Sequence, residues 1–262
     1  MTTERIDAIW GIHAVREAIE SGRAIQHIHI QQELWNPRLR ELMEYCRSRN
    51  IPLRFDPGPS IDRLAQGGHH QGVVAVTAGH SYASLDEVLD RISGENLPAG
   101  SVGLSDRAEN ALVLLLDGVQ DTHNLGALIR TACAAGAQAV VLPERRSAGL
   151  SPAVVQAASG AAEYVPVARV TNLAQTLEVL KQRSFWIFGL DEHGDKPYDQ
   201  VDYHGFSALL VGGEGKGLHQ LLKKKCDFLI RIPTPGKIST LNVSVAAGIV
   251  LFEAARQQRT AG

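Results

Sequence analysis

The sequence has few cysteines, no long apolar run and almost no net charge, and each shortage narrows the class of protein. Its cysteines, Cys46, Cys133 and Cys226, are odd in number and far apart along the chain. This spacing argues against a disulfide framework or a zinc site and suits a reducing compartment. No apolar segment has the length of a membrane-spanning helix, and the first residues lack the order of a signal peptide. We therefore expect a cytoplasmic protein without a membrane segment or a metal.

The charge of the chain gives no sign of a broad basic surface. The formal net charge is −2, so binding to RNA would depend on local patches. The candidates are Arg145-Arg146 and the run from Lys223 to Lys225. Taken alone, both runs are better explained as an ordinary solvated surface, because charged side chains are mostly exposed.

Apolar patterning divides the chain into two α/β parts joined by a segment of different composition. Residues 1–78 alternate short helical and strand patterns, which predicts a small α/β domain. Residues 79–109 are rich in Gly, Ser, Pro, Asn and Asp, which predicts a linker with a helical stretch over Leu85–Ile92. Over residues 110–262, apolar strands alternate with helices. This predicts an α/β domain with a mostly parallel sheet and helices on both faces.

The first chemical motif lies where the predicted strand Ala111–Leu116 ends and a helix begins. It reads D-G-V-Q-D-T-H-N-L-G-A-L-I-R-T from Asp117 to Thr131 and contains Asn124 and Arg130. Backbone N–H groups at a helix start are free to bind a ligand. Alternatively, Asn124 could cap the helix and Arg130 could be a surface charge.

The second motif, V-G-G-E-G-K-G-L from Val211 to Leu218, carries Glu214 between closely spaced glycines at a strand end. Glycine permits close approach of a ligand to the backbone. A dinucleotide-binding fingerprint is disfavoured, because the glycine spacing differs and the next strand ends in Pro233 without an acidic residue. A Walker loop is disfavoured because no Ser or Thr follows a Gly-Lys pair. A plain turn is the remaining alternative.

The third motif opens the last helix, which we place over Leu241–Gln257. It reads S-T-L-N-V-S-V-A-A-G and contains Thr240 and Asn242, with Ser239 or Thr240 as the expected helix cap. The small residues of its A-A-G run would allow another element to approach closely, from the same chain or from a second copy.

Together the three motifs resemble those of the SpoU/TrmH group of RNA ribose 2'-O-methyltransferases in the SPOUT superfamily. The resemblance implies S-adenosylmethionine as cofactor, bound in a bent form in a pocket of three loops within a deep trefoil knot. By position, it places the cofactor against the backbone of Gly212, Gly213, Ile232 and Leu241. It assigns the catalytic site to Asn124, Arg130, Glu214, Thr240 and Asn242.

The implied reaction is attack of a ribose 2'-oxygen on the sulfonium methyl group. The hydroxyl must lose its proton, or its developing charge must be stabilised. Arg130 is the implied activating residue, but a guanidinium keeps its proton in proteins. We therefore expect Arg130 to stabilise charge at the 2'-oxygen while a phosphate or Glu214 takes the proton. Asn124, Thr240 and Asn242 would orient the nucleotide.

The resemblance extends into the N-terminal part of the chain. I-W-G-I-H-A-V at Ile9–Val15, the H-Q-G tripeptide that follows His69, and two segments within residues 146–167 are similar to members that methylate a guanosine in large-subunit ribosomal RNA. This implies an L30e-like RNA-binding domain over residues 1–78, and a homodimer in which both subunits contribute to the RNA and cofactor sites. Adjacent His69 and His70 are poor metal ligands by themselves, so no metal is expected there.

Other functions stay open at this point. The same chemistry could act on tRNA or on another ribosomal nucleotide, including an adenosine as in resistance enzymes. The chain could be a catalytically idle RNA-binding module, although the full set of polar motif residues is present. It could also be a nicotinamide-dependent oxidoreductase, against which the missing acidic residue counts.

Overall fold

A computed structural model describes residues 6–23, 25–34, 36–78, 82–94, 109–215, 217–237 and 240–259. The chain divides into two units by internal contacts. Unit 1 comprises Met1–Ser81 and Leu150–Tyr164, and unit 2 comprises Tyr82–Gly149 and Val165–Gly262. No described helix has both the length and the hydropathy to cross a membrane.

Strands and helices alternate along most of the described chain. In chain order the elements are β1 (Ile6–Trp10), α1 (Ile12–Glu20), β2 (Ile25–Gln31), α2 (Pro37–Ser48), β3 (Leu53–Asp56), α3 (Gly58–Leu64), β4 (Val73–Ala78), α4 (Leu85–Ser93), β5 (Ala111–Asp117), α5 (Thr122–Ala134), β6 (Ala139–Pro143), α6 (Pro152–Ala158), β7 (Val167–Val170), α7 (Leu173–Gln182), β8 (Trp186–Leu190), β9 (Lys196–Pro197), β10 (Phe206–Gly212), α8 (Gln220–Lys223), β11 (Phe228–Arg231) and α9 (Val243–Arg259).

Unit 1 is built on a mixed sheet of four strands in the order β1-β4-β2-β3. The central strand β4 is antiparallel to both neighbours, whereas β2 and β3 are parallel. The apolar face of α1 packs into the core of this unit, where Val15 is fully buried. Helix α2 starts at Pro37, and the Asn36 side chain caps it by accepting the backbone N–H of Arg38 at 3.0 Å.

The sequence pattern assigned two helices, α4 and α6, to the wrong part of the structure. Helix α6 is part of unit 1, where Val155 is buried in the core and Arg23 pairs with Glu163 at 2.6 Å. Helix α4, predicted within a linker, buries Leu89 in the core of unit 2. Around α4, a polar segment hides the few apolar residues that fix the helix, whereas the apolar pattern of α6 does not reveal which core that helix joins. Residues 79–81 and 95–108 of the predicted linker lie outside the described residues.

Unit 2 contains a parallel sheet of seven strands in the order β7-β6-β5-β10-β8-β11-β9. Every residue of β5 is buried, as expected for a strand covered on both faces. The prediction of an α/β fold with a mostly parallel sheet is confirmed. Because β10 inserts between β5 and β8, their carboxyl ends meet at one edge, the usual place for a ligand in such sheets.

The small residues of α9 pack against α5 of the same chain. Ala247 is fully buried, and a Cβ added at Gly248 would lie 3.3 Å from Thr131 Cγ2. The close approach that the A-A-G run predicts is therefore intramolecular. On the same helix, Val245 and Phe252 are about half exposed, which leaves an apolar stripe on its outer side.

Candidate active site

A cavity of about 390 Å³ lies at the carboxyl ends of β8, β10 and β11, beside the start of α9. Seven of the predicted site residues line it. They are Gly212, Gly213, Glu214, Ile232, Thr240, Leu241 and Asn242. The strand order, which brings β10 and β11 to either side of β8, joins two motifs that are about 20 residues apart in sequence.

The turn after β10 admits no side chain at its first two glycines. A Cβ at Gly212 would lie 2.2 Å from the carbonyl carbon of Gly217, and one at Gly213 would lie 2.3 Å from the carbonyl oxygen of Gly118. These distances are far below van der Waals contact with backbone atoms, which cannot move aside as a flexible side chain can. The backbone of this turn is thus held close to the cavity wall.

Asp117, at the end of β5, holds this turn from behind. Its backbone oxygen accepts the Gly213 N–H at 2.7 Å. Its buried carboxylate accepts the backbone N–H and the Nδ1–H of His219, both at 2.8 Å. The turn is therefore anchored at both ends, because Gly213 and His219 flank it. No sequence pattern singled out this pair of residues.

A chain of side-chain hydrogen bonds connects the three motifs. Asn124 Nδ2 donates to Glu214 Oε1, and Asn242 Nδ2 donates to Asn124 Oδ1 at 3.0 Å. Asn242 Oδ1 in turn accepts the backbone N–H of Ser244 at 2.9 Å and its hydroxyl at 2.6 Å. Each amide is held in one orientation by these partners. The network ends on the carboxylate of Glu214, which keeps further acceptor capacity.

The helix caps differ from the expected ones. Asp121 caps α5 by accepting the Asn124 N–H at 2.7 Å, which leaves the Asn124 side chain free to join the network. Asn242 itself caps α9 through the Ser244 N–H. The expectation of a cap at Thr240 is therefore wrong, because α9 starts two residues later than the pattern suggests. Ser239 lies outside the described residues.

Arg130 does not line the cavity of its own chain. Its side chain is exposed on α5, whereas Asn124 joins the network at the cavity. Six positions on an α-helix place two side chains about 120° apart around the axis. The structure therefore brings eight of the nine predicted residues together, and Arg130 belongs to another side of the helix.

Asp191 and Lys223 line the cavity and were missed by the sequence patterns. The Asp191 carboxylate is almost fully buried and pairs with Lys223 Nζ at 2.5 Å. Burial alone would raise the pKa of Asp191. Hydrogen bonds from Lys223 and from the His193 backbone N–H, with the charge of Lys223, hold that pKa below its usual value. The available signal was the position of Asp191, directly after an apolar strand.

The lysine run is not a free cationic patch. Lys223 pairs with Asp191, and Lys225 pairs with Glu178. Among the described residues, no group of His, Cys, Asp or Glu has the arrangement of a metal site.

Two family models match the chain. The model of the SpoU rRNA Methylase family matches residues 111–252, and the model described as RNA 2'-O ribose methyltransferase substrate binding matches residues 8–83. Among curated relatives, YacO of Bacillus subtilis (strain 168), assigned to the TrmH family of tRNA/rRNA methyltransferases, is 37% identical over 99% of both chains. A protein of Staphylococcus aureus (strain MSSA476) with the same assignment is 39% identical over 97% of both.

Solved structures of similar fold cover nearly the whole chain. The SpoU methyltransferase AviRb from Streptomyces viridochromogenes, in complex with AdoMet, has a TM-score of 0.77 and 26% identity. The alignment covers 97% of this chain and 91% of that one. The AdoMet-bound rRNA methyltransferase from Sinorhizobium meliloti has a TM-score of 0.76 and 25% identity, over 96% and 87% of the two chains.

Proposed function

Because the chain belongs to the SpoU rRNA methylase family, we propose that it methylates the 2'-oxygen of a guanosine ribose in large-subunit ribosomal RNA. The chain is an RNA methyltransferase that uses S-adenosylmethionine, as its family and the AdoMet-bound structures of similar fold indicate. The observation that carries the proposal is the hydrogen-bonded chain that joins Asn124, Glu214 and Asn242 beside the glycine turn. The choice of guanosine and of ribosomal RNA is supported by the N-terminal segments that resemble guanosine-methylating members.

The cavity fits S-adenosylmethionine by size and by chemistry. Its volume of about 390 Å³ lies in the range of small-molecule sites. Leu190, Val211 and Ile232 provide an apolar wall for an adenine ring, and Glu214 provides negative charge near a sulfonium or ammonium group, whereas the charge of Asp191 is balanced by Lys223. A Cβ at Gly212 or Gly213 would collide with the opposite backbone, so the turn can present only main-chain groups there. Gly212, Gly213, Ile232 and Leu241 would hold the cofactor.

When bound, the cofactor supplies a methyl group on a positively charged sulfur, and its C–S bond breaks as the ribose oxygen forms the new C–O bond. Asn124, Thr240 and Asn242 would hold the nucleotide by hydrogen bonds. Glu214, held in place by Asn124, offers an oxygen that can take the 2'-hydroxyl proton. An alternative acceptor is an RNA phosphate. The network is formed before substrate arrives, so orientation costs little during the reaction.

We also propose that Arg130 acts in the cavity of a second copy of the chain. It does not line its own cavity, yet the family resemblance gives it a role at the 2'-oxygen. A homodimer is supported by the exposed apolar stripe of α9, in which Val245 and Phe252 are about half exposed. In such a dimer a positive guanidinium beside the 2'-oxygen would stabilise its developing charge.

The proposal also includes the knot, the type of the N-terminal domain, the location in the cell and the domain bounds. The trefoil knot in unit 2 and the L30e likeness of unit 1 rest on the family resemblance and on neighbours that cover both units. A cytoplasmic location is supported by the three free cysteines. We propose that the chain has two domains, residues 1–78 and 110–262, joined by a linker over residues 79–109. These bounds differ from those of the two structural units, because unit 1 also contains Leu150–Tyr164.

The direct test measures binding and methyl transfer separately. Calorimetry should show a saturable signal with S-adenosylmethionine and none with NAD. Tritiated methyl should pass to ribosomal RNA stripped from ribosomes and not to tRNA, with the label on ribose by mass spectrometry. Methyl transfer to tRNA alone would instead indicate that tRNA is the substrate. The curated relatives are assigned jointly as tRNA/rRNA methyltransferases, which is compatible with either substrate. Cofactor binding without transfer to either RNA would favour a non-catalytic module.

Arg130→Ala should abolish transfer and leave cofactor affinity unchanged. Subunit mixing then tests where Arg130 acts. Arg130→Ala and Gly212→Ala, each inactive alone, should regain activity when refolded together, because the mixed dimer contains one site in which both positions are intact. If Arg130 served its own chain, each site of the mixed dimer would carry one of the two substitutions and the mixture would stay inactive.

A further inference from the structure

Unit 1 contains a second cavity, of about 660 Å³, that the proposed reaction does not use. It lies between the starts of α1 and α2 and the loop that precedes β4, and all of its lining residues belong to unit 1. His13, Arg38 and His69 line it with exposed side chains. None of these three side chains has a hydrogen-bond or ion-pair partner among the described residues.

The H-Q-G tripeptide, His70 to Gly72, fixes the conformation of the loop that precedes β4. His70 Nδ1 accepts the Gly72 N–H at 3.0 Å, so its proton lies on Nε2, which donates to Asp62 at 2.9 Å. Gln71 has a left-handed backbone, φ 53°, and its side chain accepts the Ile12 N–H at 3.0 Å. At Gly72, φ is 82° and a Cβ would lie 2.2 Å from Leu34 Cδ2. The tripeptide therefore serves the loop itself.

The side chains in this cavity that have no partner among the described residues are of the types that bind unpaired RNA. Arg38 brings a full positive charge, and the starts of two helices add partial positive charge at the same cavity. The imidazoles of His13 and His69 and the planar guanidinium can stack on exposed bases. Leu34, two fifths exposed, adds apolar surface, and the side-chain amide of Gln31 adds a hydrogen-bonding edge. Asp62 also lines the cavity, but its carboxylate is engaged by His70.

We propose that this cavity binds an unpaired segment of the RNA substrate, with a phosphate on Arg38 and bases against His13 and His69. The inference rests on the proposed function, because it takes RNA as the substrate, and on the match of residues 8–83 to a substrate-binding model. That match extends over residues 8–83 and does not indicate which face of the unit contacts RNA. The position of the cavity indicates this face and the residues on it.

The test is binding of a short fluorescein-labelled single-stranded RNA of mixed sequence, measured by anisotropy. The triple variant H13A/R38Q/H69A should lose more than tenfold in affinity, and Arg38→Gln alone about three- to tenfold. Arg38→Gln should also lower the slope of affinity against salt by roughly 0.7, the value for one phosphate contact on a single strand. Arg47→Gln is the matched control, since Arg47 is exposed at the other end of α2 and does not line the cavity.

Methylation kinetics separate this inference from the proposed function. The triple variant should raise KM for RNA, keep kcat at saturating RNA, and bind S-adenosylmethionine as the wild type does. Three results would overturn this inference and leave the proposed function intact. They are an unchanged RNA affinity of the triple variant, an equal loss of RNA affinity in Arg47→Gln, and tighter binding of a blunt RNA duplex than of the single strand. A wild type that neither binds the cofactor nor transfers methyl overturns the function instead. If thermal unfolding shows that the triple variant is not folded, Arg38→Gln decides.

Discussion

The cavities of the two units hold their polar side chains in opposite ways. In unit 2, Asn124, Glu214 and Asn242 are bonded to one another, and Asp191 is bonded to Lys223. In unit 1, the side chains of His13, Arg38 and His69 reach the cavity without a partner among the described residues. A site that is bonded before the ligand arrives suits bond making, where misplacement is costly. Unbonded side chains suit a surface that adapts to varied RNA, because ordering them is deferred until binding.

The largest expected effect comes from adding a side chain to the glycine turn of unit 2. Gly212→Ala should abolish binding of S-adenosylmethionine, by more than about a hundredfold, since its Cβ would collide with backbone 2.2 Å away. Gly236→Ala is the matched control, because a Cβ at Gly236 meets nothing within 4 Å. Calorimetry measures the binding. If Gly212→Ala binds normally, the backbone at Gly212 does not limit the cavity as these distances indicate. RNA affinity should persist in both variants, since that cavity belongs to unit 1.

The next effect concerns the buried ion pair beside the cavity. Asp191→Asn should lower the free energy of unfolding by about 2 kcal/mol at pH 7, because it leaves a mostly buried ammonium without its charge partner. Glu178→Gln, which breaks the more exposed pair with Lys225, should leave the denaturation midpoint nearly unchanged. Urea unfolding of both variants measures the difference.

The same pair predicts a pH dependence of known sign. The pKa of Asp191 is lower in the folded chain than its usual value of 3.8. Its stabilisation is therefore fully present above about pH 4 and is lost as pH falls through the folded pKa. The stability gap between wild type and Asp191→Asn should be constant from pH 7 to 5 and should shrink below pH 4. If the stability difference between wild type and Asp191→Asn instead grows as the pH falls, the ion pair does not stabilise the folded chain.

A smaller effect uses one thiol in each unit as a reporter, the buried Cys46 and the half-buried Cys226. Burial raises the pKa of Cys46 to about 11 and that of Cys226 to about 12, so the thiolate fraction of each is small at pH 8, and we expect both thiols to react mainly when their unit opens. S-adenosylmethionine at ten times its Kd should slow alkylation of Cys226 about tenfold and leave Cys46 unchanged. Peptide mass spectrometry distinguishes the two sites. Equal slowing at both cysteines would mean that the two units open together.

The smallest effect comes from loosening one end of the hydrogen-bonded chain. Ser244→Ala removes the hydroxyl that donates to Asn242 at 2.6 Å but keeps the backbone N–H bond. Loss of one such bond costs about 1 kcal/mol, so kcat should fall about fivefold with little change in cofactor affinity. Ser244→Thr restores a hydroxyl and should recover most of the rate. A full rate in Ser244→Ala would show that Asn242 needs no such support.

Local patterns predicted the parts of the site that depend on the backbone. Apolar runs located the strands whose ends carry Gly212 and Ile232, and the glycine spacing indicated a turn without side chains. The family resemblance added the roles of Asn124, Glu214 and Asn242, which stay proposals. Helix boundaries were less well predicted, because α9 starts at Val243 and is capped by Asn242. A cap is decided by which nearby oxygen reaches the free N–H groups, and several hydroxyl and amide side chains compete there.

The sequence by itself determined an α/β chain, the turns that can take a ligand and the family to which their residues point. Only the tertiary structure decided which distant residues meet. It joined Asp191 to Lys223, put α6 into unit 1, and placed Arg130 on a different side of α5 from Asn124, which bonds to the cavity-lining Glu214 and Asn242. The reason is that periodicity encodes which face of an element is buried. The order of strands in a sheet, and the rotation of a helix against its neighbours, depend on contacts between residues far apart in the chain.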